Sequence, residues 1–120
     1  MESGKLLERL LVLKNLCEDD MKSCIEQLLA HAGRCMAAIY FLRVAEINMG
    51  SRALSQQQDE VSAAKARFDA ALSAFADDIK IVNRLCRKYE QPAIYDGPQE
   101  TAGYIGFAEE LVQELKAYKK

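Results

Sequence analysis

The chain predicts an all-α fold, and three observations carry that expectation. Leu54, Val61, Phe68, Phe75, Val82 and Tyr89 fall at unbroken seven-residue intervals, and no Gly or Pro interrupts residues 51–91. The Gly and Pro residues elsewhere fall, Gly33 apart, where a helix is due to stop. Bulky apolar residues in step with two helical turns describe an amphipathic rod with one buried seam. A helix of about 40 residues is roughly 60 Å long and must lie against something comparable. The expected architecture is a long antiparallel helical hairpin plus a short C-terminal helix, a three-helix bundle completed by dimerisation, with all 120 residues in one domain.

In the first long segment, Leu7, Leu10, Cys17, Met21, Cys24, Ile25, Leu28, Ala32, Met36 and Ile39 hold one face at helical periodicity. Two readings compete: one helix of about 44 residues, or two helices broken near Leu16–Asp20, where Asp19 and Asp20 can cap a new start. The stripe stays in phase across that point, which favours a single helix. Asn48-Met49-Gly50-Ser51 then reads as a tight turn, with Gly50 ending one helix and Ser51 capping the next. The second helix carries the heptad ladder. Its alanines at Ala63, Ala64, Ala66, Ala70, Ala71, Ala74 and Ala76 point to close helix packing, and Pro92 stops it. After the Ala93–Glu100 loop, Tyr104, Ile105, Ala108, Leu111, Val112, Leu115 and Tyr118 form a short third helix. Its Glu109 and Glu110 come early and its lysines late, as the helix dipole prefers.

A short third helix can cover only one half of the hairpin, the half near the chain ends. The turn half, with Met36, Ile39, Leu42, Leu54 and Val61, is left with an apolar flank, so these residues are the candidate interface of a homodimer. On that reading Leu54 and Val61 face a partner chain, while Phe75, Val82 and Tyr89 face the chain's own core.

Composition narrows the function classes. A net charge of −2, with basic residues scattered among acidic ones, gives no footprint for nucleic acid. No basic-then-apolar leader opens the chain, and no uninterrupted apolar run approaches the ~18 residues of a membrane span, so the expected compartment is the cytoplasm without membrane association. There Cys17, Cys24, Cys35 and Cys86 read as free thiols acting as small hydrophobes.

Chemical candidates are few. His31 and Cys35 lie one turn apart, but two ligands make a poor metal site, and no metal or cofactor is expected. Folding the hairpin about its turn pairs residues whose numbers sum to about 100, which sets Cys17 near Cys86 and His31 near Asp69. Cys17 and Cys86 can then bridge if their Cα atoms come within ~7 Å. Arg43 and Glu46 would face Arg52, Gln56 and Gln57 and set register. Adjacent carboxylates such as Asp77 and Asp78 point about 100° apart on a helix and cannot form a dyad. No phosphate loop, nucleophile elbow or Cys/His constellation is present, so no enzymatic activity is expected. The loop is the candidate ligand site, where Tyr95 and Asp96 would line a small pocket with Tyr89 and Tyr104. The competing structural reading makes Ile94 and Tyr95 a plug for the bundle.

The run Asn83-Arg84-Leu85-Cys86-Arg87-Lys88-Tyr89, with Pro92, Ile94-Tyr95-Asp96-Gly97 and Ile105-Gly106-Phe107-Ala108 after it, resembles a bacterial family of small helical proteins, the domain of unknown function 3232. The likeness covers the C-terminal third and a few positions upstream. It implies an all-helical bacterial protein and brings no activity or site residue with it. The functional expectation is a non-enzymatic protein acting through self-association or a second protein partner. The alternative is a small-molecule- or metal-responsive binder using the Tyr95 loop or the His31–Cys35 edge.

Overall fold

A computed structural model describes residues 5–47 and 54–118, with side chains given outside 54–58. The described residues form four helices and no strand: α1 (Lys5–Leu16), α2 (Asp19–Ile47), α3 (Leu54–Lys88) and α4 (Thr101–Tyr118). The all-α expectation holds, with one more helix than the sequence implied. The Asn48–Ser51 turn lies outside the described residues, as do the side chains of Leu54, Gln56 and Gln57 and the whole of Arg52.

The expected continuous first helix is corrected: it breaks at Cys17–Glu18. Cys17 N–H still donates to Leu13 O at 3.1 Å, completing the last turn of α1. The acidic pair Asp19–Asp20 then opens α2, where negative charge suits a helix N-terminus. The Lys14–Glu26 ion pair at 3.0 Å records the bend. On a straight helix these residues, 12 apart, would stand roughly 18 Å from one another. The phase argument failed because the bend keeps the same face inward. Leu7, Leu10 and Leu13 of α1 enter the core together with Ile25 and Leu28 of α2.

α1 is held by groups far away in the chain. The Leu7 N–H in its first turn donates to Glu114 Oε1 of α4 at 2.8 Å, and Glu114 is only 6% exposed. A carboxylate there satisfies one of the orphan donors of α1 and meets the positive end of its dipole. Arg9 adds bonds from Nη2 to Pro92 O and Ala93 O, 3.1 and 2.6 Å.

α2 and α3 form the long hairpin, and the molecule measures 54 × 28 × 25 Å. Their register differs from the expected one. His31 meets Asp78, not Asp69, nine residues further along α3. The heptad ladder is the buried seam it promised to be: Phe68, Phe75 and Val82 are buried, and Val61 and Tyr89 half-buried.

α3 ends at Lys88, before Pro92 can act. Glu90 takes a left-handed φ of 58°, and Gln91 N–H reaches back to Cys86 O at 2.7 Å. This is a helix-terminating turn of the kind glycine usually makes. The chain then climbs back along α3 instead of crossing below it. Asn83 steers the climb, donating from Nδ2 to Tyr95 O (2.9 Å) and accepting at Oδ1 from Ile94 N–H (2.9 Å) and Tyr95 N–H (3.4 Å). As a result α4 starts beside the middle of α3. Phe107 stacks on Phe75 with centroids 5.8 Å apart, and Ile105 reaches a second apolar cluster of Ala38, Ile39 and Phe68. α4 therefore covers more of the turn half than its length implied.

α2 is also long and apolar enough to cross a bilayer, with a mean hydropathy of 1.2 over its best window. Here its Ile25, Leu28, Ala32, Cys35 and Ile39 form one wall of the protein core.

Candidate functional site

Three of the four residues expected to bind a ligand converge. Tyr95, Asp96 and Tyr104 line a pocket of about 330 Å³ together with Lys80, Asn83 and Arg87 of α3. Tyr89 is not among its walls; it is half-buried against the main core, with Lys88 Nζ 5.5 Å from its ring centre. The tyrosine wall is built tightly. Tyr95 tilts against Tyr104 and Phe107 at centroid distances of 5.7 and 4.9 Å, and its hydroxyl donates to Pro98 O at 2.5 Å. Gly103 has to be glycine, because a Cβ there would sit 2.4 Å from the Tyr95 hydroxyl and 2.6 Å from Pro98 O. Burial, followed by the neighbouring Tyr104, Glu100 and Asp96, raises the Tyr95 phenol above its ordinary pKa. Asn83 and the Tyr95 hydroxyl are engaged in holding the loop. Lys80, Arg87 and Asp96 remain as the charged groups facing the pocket. Ile94 is buried as the plug reading expected, while Tyr95 and Asp96 form a pocket wall.

The expected interface residues are placed as follows. Met36, Leu42 and Val61 are half-buried, and Ile39 is buried in the second apolar cluster. Exposed apolar surface at this end of α2 falls instead on Tyr40 (65% exposed), Phe41 (55%) and Ile47 (78%). Arg43 and Glu46 are exposed beside them.

The His31–Cys35 edge does not converge. His31 Nδ1 faces the buried Asp78 carboxylate and donates to it. The Cys35 thiol is fully buried, and burial pushes its pKa from 9.0 up to about 11. Cys17 and Cys86 share the main core cluster with the half-buried Cys24, and all four cysteines are free thiols. Burial is the first cause that raises both Cys17 and Cys86. A folded pKa above the unfolded one means that Cys35 favours folding fully below about pH 9 and loses that contribution as pH rises towards 11. Unfolding stability should accordingly fall over that window in wild type more than in Cys35→Ala. Thiol labelling at pH 8 should reach Cys24 first and Cys35 only on unfolding.

A second concavity has no counterpart in the sequence reading. Between α2 and α3, Ala37 and Ala38 oppose Ala70, Ala71 and Ala74 and leave a groove of about 430 Å³. His31 and Arg34 line it from α2, Arg67 lines it from α3, and Phe41 lines it at the turn side. The alanines, expected to bring helices closer, here leave space that no side chain fills. A facing pair of alanine runs is the signal, but their register had to be known before they could be seen to face each other.

No protein-family model, curated protein or solved structure matches the chain. The bacterial likeness of the C-terminal third therefore rests on its quoted residues alone.

Proposed function

We propose that the chain is a non-enzymatic association protein, which pairs with a second copy of itself and offers the same surface to a second protein. The carrying observation is the flank of α2 at the turn end. Tyr40 and Ile47 are seven residues apart on one helical stripe, both largely exposed, with the half-buried Met36 along the same side. Large aromatic and aliphatic side chains clustered on an exposed flank are what a partner buries. Four free thiols fit a reducing compartment, the cytoplasm. The His31–Asp78 pair supports a non-enzymatic reading as well, since the groove beside it is lined by no hydroxyl or thiol that an imidazole could activate.

Light scattering at micromolar concentration should show a dimer. Tyr40→Asp with Ile47→Asp should convert it to a monomer at an unchanged melting temperature, because neither side chain belongs to the core. A wild-type monomer at every concentration tested would remove the proposal. One observation favours a second reading, small-molecule binding: the 330 Å³ pocket that unites Tyr95, Asp96 and Tyr104 with Lys80 and Arg87.

A further inference from the structure

The α2–α3 groove differs in character from the rest of the surface. Its floor is made of alanine methyl groups, and its largest apolar wall is Phe41. Among the described residues, the charged side chains lining it are the guanidiniums of Arg34 and Arg67, beside the His31 imidazole. Among the described residues neither arginine has a hydrogen-bond or ion-pair partner. No carboxylate is among the described lining residues, and the buried Asp78 is engaged by His31. An occupant thus meets an apolar trough and unneutralised positive charge.

We infer that this groove binds a small amphipathic carboxylate, a medium-chain fatty acid or a compound of the same shape. Arg34 follows His31 by one turn of α2, so the carboxylate sits at that end, where a guanidinium offers two parallel donors to its two oxygens. The hydrocarbon tail runs over Ala38, Ala71 and Ala74 towards Phe41. From His31 to Phe41 the helix rises roughly 15 Å, which suits an extended medium-length chain. Arg67, next to Phe68 on the facing helix, lies towards the Phe41 end, where its aliphatic stem can flank the tail while its exposed guanidinium stays in water. A second copy of this groove is a poorer occupant, because arginines would then face arginines. The site occupies a different stripe of α2 from Tyr40 and Ile47, so it stands or falls independently of self-association.

The test is titration of the full chain with decanoate and with decanol, followed by calorimetry and by the amide shifts of α2 and α3. Decanoate should bind at least about tenfold more tightly than decanol, the worth of a charge-assisted contact. Arg34→Gln should erase most of that difference and leave decanol binding unchanged, with Arg67→Gln having a smaller effect. Ala74→Phe fills the floor and should block both ligands. Ala70→Phe, at an exposed position, does the same without touching the core, and unchanged circular dichroism certifies the fold of either variant. Equal affinity for the two ligands, binding that survives Ala70→Phe, or no binding of decanoate would each overturn the assignment. So would a dimer that Ala70→Phe dissociates, since the groove would then be a contact between copies.

Discussion

Phe75→Ala is expected to lower the free energy of unfolding by about 3–5 kcal/mol, the range for removing a fully enclosed phenylalanine. Phe75 has no exposed surface and stands where three elements meet: α3 carries it, Phe107 of α4 stacks on it, and it shares a cluster with Ile25 and Leu28 of α2. Phe107 in turn leans on Tyr95, so a cavity here loosens a chain of rings that reaches the loop pocket. A domain of this size holds only about 5–15 kcal/mol in total, so the variant should be partly unfolded at physiological temperature. Urea titration followed by far-ultraviolet circular dichroism measures the loss. Val61→Asp, at a half-buried position, should cost far less stability and act on association instead. Equal losses from Phe75→Asp and Val61→Asp would show that the ladder is not divided between core and flank.

His31→Leu should cost about 3 kcal/mol, because removing one member of a buried hydrogen-bonded pair leaves the other without its partner. Asp78 sits in α3 with 9% of its side chain exposed, against 20% for His31, so its carboxylate has little water to turn to. The companion variant carries the argument. With both residues changed to leucine, no buried polar group is left and most of the loss should be recovered, since an apolar pair of similar volume replaces a buried polar pair at little cost. A double-mutant cycle in urea reads the coupling directly. If His31→Leu alone is harmless, the pair contributes nothing to stability and the register it marks is set by apolar packing.

Helices were legible because periodicity of 3.6 is a local property, written within each segment. The bend at Cys17–Glu18 was not, since a hinge that returns the next helix in the same phase leaves the stripe intact. Register was not legible either. The apolar ladder constrains which face is buried but not how far one helix is slid along the other, so His31 met Asp78, nine residues beyond the residue its number implied. In the loop, the extended stretch around Tyr95 that the sequence singled out supplies a pocket wall through Tyr95 and Asp96. Tyr89 packs on the core side, as its place in the ladder expected, and for that reason does not join the loop pocket. The alanine groove and the Glu114 contact share one reason for escaping notice: each joins residues distant in the chain, and neither partner carries a local mark of the other.

The Leu7–Glu114 bond has a consequence for how the protein is made. Its two ends are 107 residues apart, so at ~5–20 residues per second α1 waits on the order of 5–20 s for its cap to leave the ribosome. Through that interval Leu7, Leu10 and Leu13 have no α4 to lie against, and Leu11, Val12 and Leu16 remain exposed even afterwards. The apolar face of α1 is therefore synthesised well before the helix that covers it, so its burial is a late, post-synthetic event.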